Sequence, residues 1–219
     1  MILNVLAAHA TGPYQSGTAG YDISYPQCTS ATLPTGAFGI VGVTNGRPFS
    51  GYSCLGKLYT HAAASGTPSL YLNTGYSGAY RKNITTPCSA GPSQAWEIGC
   101  SEADYAANQA SGLDAAMWWL DVETGNSWST SSLSLNQATI QGAVDRLLQL
   151  YPNVPVGVYS TRHSWSTITG SAAVYTPTGT SAQWIAGAGG SCASSGGFDS
   201  NPIWLSQFAN GGFDGDNAC

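Results

Sequence analysis

The stretch that most limits what this chain can become is Ala115–Gly125, AAMWWLDVETG. Six apolar residues, Ala115 to Leu120, run into Asp121, and Glu123 follows across Val122. A strand with one wet face alternates polar and apolar residues, and this one does not. The unbroken run is how a parallel strand covered by helices reads. Residues two apart on a strand share a face, so Asp121 and Glu123 project together, their Cβ atoms about 6–7 Å apart at roughly 3.3 Å of rise per residue. Burial and mutual repulsion raise the pKa of at least one of them. Such a pair suits the division of acid and anion roles in glycosidic bond cleavage. The plainer alternative is a strand that ends in water, with two ordinary surface carboxylates opening the next loop.

Further strands flank this one. Gly20–Ser24 (GYDIS) is a short first strand with an acid in its middle, where Asp is a poor strand former and a turn or cap is the competing reading. Phe38–Thr44 is a continuous apolar second strand, followed by a helix over Leu55–Ser65 that Gly66 closes. Ser69–Tyr76 is a third strand with Asn73 and Tyr76 at its end, and Gly78–Gly99 reads as a long excursion. A helix is expected from Ser101 to about Ser111, with Glu102 and Asp104 as acids of its first turn. Beyond the central strand, Asn136–Tyr151 carries one apolar stripe (Ile140, Val144, Leu147, Leu148, Tyr151), which leaves Asp145 and Arg146 solvated. Val156–Ser160, Ala182–Gly187, Pro202–Phe208 and Phe213–Cys219 complete eight strands, with a short helix near His163–Thr169 and little room for helices later. Alternating strands and helices imply a parallel sheet. The expected fold is α/β, a single-domain TIM-like barrel in the degenerate form (β/α)5(β)3, spanning residues 20–219 behind an N-terminal lead-in of residues 1–19.

Composition excludes several functions. Charged residues make up 8% of the 219, the net charge is −5, and Lys and Arg number six, so no basic stripe exists to neutralise a nucleic acid backbone. No run reaches the roughly 20 apolar residues of a membrane span. The apolar patch Ile2–Ala8 is readable as the remnant of a secretion signal. Six cysteines without a CxxC pair, and three scattered histidines, point to three disulfides in an oxidising compartment rather than to a metal. Of the possible pairings, Cys88 with Cys100 is favoured because the two bracket one loop. The end DGDN lacks the further oxygen ligands of a calcium loop. No cofactor or metal is expected.

Of eleven carboxylates, Asp22, Asp121, Glu123, Asp214 and Asp216 lie in or just after apolar strands. In a parallel barrel the C-terminal strand ends open on one face, where active sites are built. Strands one, four and eight would bring these acids to one rim, a concentration that points to a functional site.

The ordered set GYDIS, WWLDVETG, VPVGVYS, QWIA, WLSQF and DGDN, spread over about Gly20–Asn217, resembles the family 25 glycoside hydrolases, the Chalaropsis-type lysozymes. The resemblance implies Glu123 as proton donor. It implies Asp121 as the carboxylate that steadies the cationic intermediate or orients a 2-acetamido group. Asp22 and Asp214 would complete an acidic floor, with a one-step shift to Asp216 possible, and Gln207 and Trp184 match positions near the sugar. Tyr159, Asn73 and Tyr76 are sugar contacts by location, and Trp128, after the acid pair, is a groove candidate. The chain departs from that family in its three expected disulfides, in the Cys88 loop and in a second strand without a charged ending. The expected protein is a secreted, monomeric glycoside hydrolase acting on a cell-wall polysaccharide, peptidoglycan first. The alternatives are a hydrolase of another microbial glycan (arabinan, galactan or capsule) and a non-catalytic carbohydrate-binding barrel. No nucleic acid or membrane partner is expected.

Overall fold

The computed structural model describes residues 12–170, 175–187, 189–192 and 196–219; the apolar patch Ile2–Ala8 lies outside them. Eight strands close into one barrel in chain order. They are β1 (Ala19–Ile23), β2 (Gly39–Gly42), β3 (Ser69–Asn73), β4 (Trp118–Asp121), β5 (Val156–Ser160), β6 (Ala182–Ile185), β7 (Ile203–Asn210) and β8 (Phe213–Ala218). Helices α1 (Leu55–Ala62), α2 (Gln94–Gln109), α3 (Leu133–Leu150) and α4 (Arg162–Thr169) follow β2, β3, β4 and β5 in turn, while a 3-10 turn at Tyr25–Thr29 stands in the first crossover. The degenerate barrel expected from the sequence is the observed one.

One strand breaks the all-parallel expectation. β1 to β7 pair in parallel, but β8 runs antiparallel to both β7 and β1. The cause is local. Asn210 pairs with Phe213 across Gly211 and Gly212, whose φ values are 59° and 96°. Two left-handed residues in a two-residue loop make a hairpin turn of the kind that only glycine enters freely. β8 therefore starts at the mouth and runs down the wall.

Alternation along the strands separates two cores. Outward residues such as Val41, Leu70, Leu72, Trp118, Leu120 and Val158 pack against the helices. Inward residues Ile40, Met117, Trp119, Ala182 and Trp184 fill the barrel. Tyr14, ahead of β1, joins this inner core; its hydroxyl lies 2.6 Å from Ser69 Oγ and accepts the Trp119 indole N–H at 2.8 Å. The bottom of the barrel is thus a sealed aromatic floor. Trp118 and Trp119 are both core, one on each side of the same strand.

The helix expected from Ser101 begins at Gln94, a correction with a clear cause. Ser93 is the cap, its hydroxyl accepting the Trp96 N–H at 3.2 Å, while Ser101 Oγ–H donates back to the Glu97 carbonyl inside the helix. Gly99 disguised the first turns as loop. It is glycine because α2 and α3 nearly touch: a Cβ there would lie 1.8 Å from the Thr139 carbonyl oxygen. Asp145 and Arg146 are likewise not free on the solvated side of α3. Asp145 accepts the Trp96 indole N–H at 2.7 Å, and Arg146 pairs with Asp104 at 2.5 Å. Three disulfides join Cys28–Cys54, Cys88–Cys100 and Cys192–Cys219. No helix among the described residues is long and apolar enough to cross a membrane.

Candidate active site

The mouth of the barrel holds a cavity of about 150 Å³ lined by Asp22, Tyr71, Asp121, Glu123, Tyr159, Trp184, Gln207 and Asp214. Six different strands, β1 and β3 to β7, bring their side chains there with β8 and the residue two beyond β4. Asp121 ends β4, and Glu123 shares its inward face while Val122 turns outward into the helix-side core. Asp22 and Asp214 stand directly opposite each other in the β1–β8 ladder, a position where like charges repel.

Neutral donors hold the acids in place. The Asn73 side-chain amide donates to Asp121 Oδ2, and its own orientation is fixed because Thr44 Oγ1–H donates to Asn73 Oδ1 at 2.7 Å. The Gln207 amide donates to Asp22 Oδ2 at 2.9 Å and accepts the Tyr159 hydroxyl at 2.8 Å. Below them Asp216 is wholly buried and accepts the Trp184 indole N–H at 2.7 Å. Asp216 also shares a side-chain hydrogen bond with Asp22, and among the described residues Asp121 Oδ1 is buried with no protein partner.

Among the described residues no Lys, Arg or His lines the cavity. With no cation to offset the acids, every shift is upward. Burial, opposed by the Gln207 bond and aided by the charge of Asp214, pushes Asp22 up to about 7. Burial first, and then the charges of Glu123 and Asp22, hold Asp121 well above the usual carboxylate range. Glu123 is raised by its partial burial and by Asp214. Burial alone raises Asp214, and burial with the Asp22 charge holds Asp216 far up. The cluster therefore keeps protons at neutral pH that isolated carboxylates would lose. A site of this kind can donate a proton and face developing positive charge within one small space.

Of the residues singled out from the sequence, seven line this cavity, and Asn73 and Asp216 sit behind its wall. Tyr76 and Trp128 do not line it. Trp128 donates its indole N–H to the Glu123 carbonyl at 2.8 Å and lines a separate apolar hollow with Leu133 and Ile168. Tyr71 is the wall residue sequence reading missed. Its ring lies over Gly42 of β2, where a Cβ would come within 2.5 Å of it. A glycine facing a tyrosine across neighbouring strands was the available signal.

Glu102 is the other surprise. Placed at a helix start by the sequence, it lies in the middle of α2, fully buried, and accepts the Thr74 hydroxyl at 2.5 Å and the Gly75 N–H at 3.3 Å. It ties the loop after β3, next to Asn73, down onto α2.

Comparison with known proteins agrees with this architecture. A family model described as Lysozyme-like protein 1 matches residues 85–213, more than half of the chain. No curated protein matches. Among solved structures, the bacterial lysozyme from Streptomyces coelicolor is similar with a TM-score of 0.63 and 20% identity, over 94% of this chain and 93% of that one. The CTP1L endolysin matches with a TM-score of 0.59 and 14% identity, over 92% of this chain and 66% of its own length. The Cpl-1 endolysin, solved with a peptidoglycan analogue, matches with a TM-score of 0.55 and 14% identity, over 94% and 55%. At these identities the likeness is one of fold.

Proposed function

The chain belongs to the lysozyme-like family whose model it matches, a family of glycoside hydrolases, and from that premise we propose that it cleaves the amino-sugar backbone of peptidoglycan outside the cell, with Asp121 and Glu123 as its working pair. The observation that carries this reading is the convergence of Asp22, Asp121, Glu123 and Asp214 on one cavity walled by Tyr71, Tyr159 and Trp184, with no cation lining it among the described residues. Aromatic faces offer flat apolar surface to a pyranose ring, and the acids supply the chemistry.

Glu123 is the proton donor. It stands partly open at the mouth, and burial with the charge of Asp214 raises its pKa, the direction a proton donor needs. Asp121 sits deeper and is fixed by Asn73, so it cannot swing toward the leaving group. With Oδ2 held by Asn73, Asp121 presents a fixed carboxyl to the cavity it lines. The N–H of a 2-acetamido group is a donor for such a carboxyl, which favours an N-acetylated sugar at this position. Asp121 then orients that group, and the negative charge left in the cluster meets positive charge developing at the anomeric carbon. Burial and the charge of Asp214 raise Glu123, and Asp22, Gln207, Trp184 and Tyr159 shape the wall. Three disulfides favour an oxidising, extracellular setting.

The test is release of reducing ends from purified peptidoglycan, beside arabinan, galactan and glucan. The reading expects turnover on the first alone and its loss in Glu123→Gln. Binding without turnover by the unaltered protein, or equal rates in both proteins, would overturn it. Turnover on one of the other glycans would reassign the substrate.

A further inference from the structure

Half of the few cations in this chain lie together. The sequence holds six Lys and Arg residues; Arg47, on the loop after β2, and Arg81 and Lys82, on the turn Gly78–Asn83 after β3, are all exposed. The one ion pair among the described residues is Arg146 with Asp104, so none of these three has an acidic partner. Arg47 and Lys82 line an open hollow of about 380 Å³ together with Phe49, Tyr80 and Asn83, and among the described residues no carboxylate lines it.

The hollow is built rather than incidental. Phe49 meets Tyr80 edge-on at 5.4 Å and Tyr105 at 6.0 Å, which gives the cations an aromatic backing. Phe49 is also a non-glycine residue with left-handed backbone, at φ 53°, a strained state held only where surroundings over-determine it. The two loops are pinned at their far ends, one by Cys28–Cys54 and the other by Cys88–Cys100. Gly75 places the hollow on the same rim as the acids, because a Cβ there would meet both Pro48 of the first loop and Ser127, four residues past Glu123.

The two sites have opposite fields. The mouth gathers acids without a cation, and the hollow gathers cations without an acid. A polymer with neutral sugars and a charged branch is sorted by such a pair: its sugars enter the mouth, and its anions are repelled there and attracted to the hollow. We propose that the hollow between Arg47, Tyr80 and Lys82 binds an anionic branch of the wall glycan and thereby sets how the polymer lies across the mouth. This rests on the glycosidase reading above for the identity of the polymer. The branch chemistry is a carboxylate or phosphate oxyanion, supplied either by a peptide stem or by a phosphodiester polymer linked to the glycan.

The experiment measures co-sedimentation with insoluble walls in a Glu123→Gln background, which removes any dependence on turnover. The Arg47→Ala/Lys82→Ala double variant is expected to bind intact walls about 5- to 10-fold more weakly at low salt, a difference that fades above roughly 0.5 M salt. Walls stripped of peptide by an amidase, and walls stripped of phosphodiester by hydrogen fluoride, separate the two sources: the difference disappears on the substrate that lacks the recognised branch. Equal affinity of the two proteins for intact walls overturns the proposal, as does a loss that persists on glycan stripped of both branches. Failure of the unaltered protein to cut intact peptidoglycan would instead sink the glycosidase reading, and the binding comparison would stand apart from it.

Discussion

Two acidic pairs in this chain have the same spacing and opposite fates. Asp121 and Glu123 flank a valine on a strand, and Glu102 and Asp104 flank an alanine on a helix. On the strand both carboxylates face one cavity. On the helix the same interval turns them to different neighbours: Glu102 meets Thr74 and Gly75, and Asp104 meets Thr85 and Arg146. The helical acids are spoken for, one by neutral donors and the other by a cation. Those of the mouth meet other acids instead. Backbone period decides whether two acids crowd, and the presence of a cation decides whether crowding is relieved.

That contrast breaks most visibly at Glu123. Glu123→Gln should lower kcat by about 10³-fold, within the range for loss of a general acid, while the melting temperature stays level or rises. The assay is reducing-end release beside a thermal melt; a fall in stability as large as the fall in rate would make Glu123 a structural acid like Glu102. The helical pair should behave in the reverse way. Arg146→Ala leaves Asp104 buried without its cation and should cost about 3 kcal/mol, or roughly 6–12 °C in melting temperature, with kcat per folded molecule unchanged.

Asp22 should show the mouth's acids working against the fold. Its folded pKa of about 7 lies above the ordinary carboxylate value of 3.8, so the folded state favours the protonated form. The stability from that preference is complete below pH 4 and is lost as pH rises through about 7. Asp22→Asn, neutral throughout, should flatten the decline and be more stable than the parent at pH 8 by about 2 kcal/mol, read from urea melts across that window. A parent whose stability rises between pH 4 and 7 would contradict the uncompensated cluster. The smallest effect concerns coupling. Asp214 is the charge that helps to raise Glu123, so Asp214→Asn should move the alkaline limb of the kcat profile down by about half a pH unit to one unit. An unmoved limb would separate the two acids electrically.

Much of the barrel was legible because its strands are apolar runs punctuated by glycine, proline and polar loops, and such runs announce burial on both faces. The acids of the mouth were legible for the same reason, since each interrupts or ends a run that should hold none. What escaped depended on partners that sequence does not display. Ser101–Asp104 imitates a helix start, and only the close contact of Gly99 with Thr139 explains why the helix begins earlier. Arg146 appears solvated until α2 is placed beside it. The reversed direction of β8 had a signal in Asn210-Gly211-Gly212-Phe213, a two-residue hairpin turn, that the expectation of a uniform sheet overrode. Cys28–Cys54 and Cys192–Cys219 close across separate elements, so nothing local marked them as partners.

The reversed β8 also fixes the order in which the molecule can be completed. It forms the seam between β7 and β1, and its contacts with β1 join residues nearly two hundred positions apart, the kind of long-range closure that folds late. A nascent chain that has not yet reached Phe213 has an open-sided sheet and lacks Asp214 and Asp216, so the repulsion among the acids is postponed until the seam is shut. Folding and arming of the mouth are then one event, at the strand that closes the barrel.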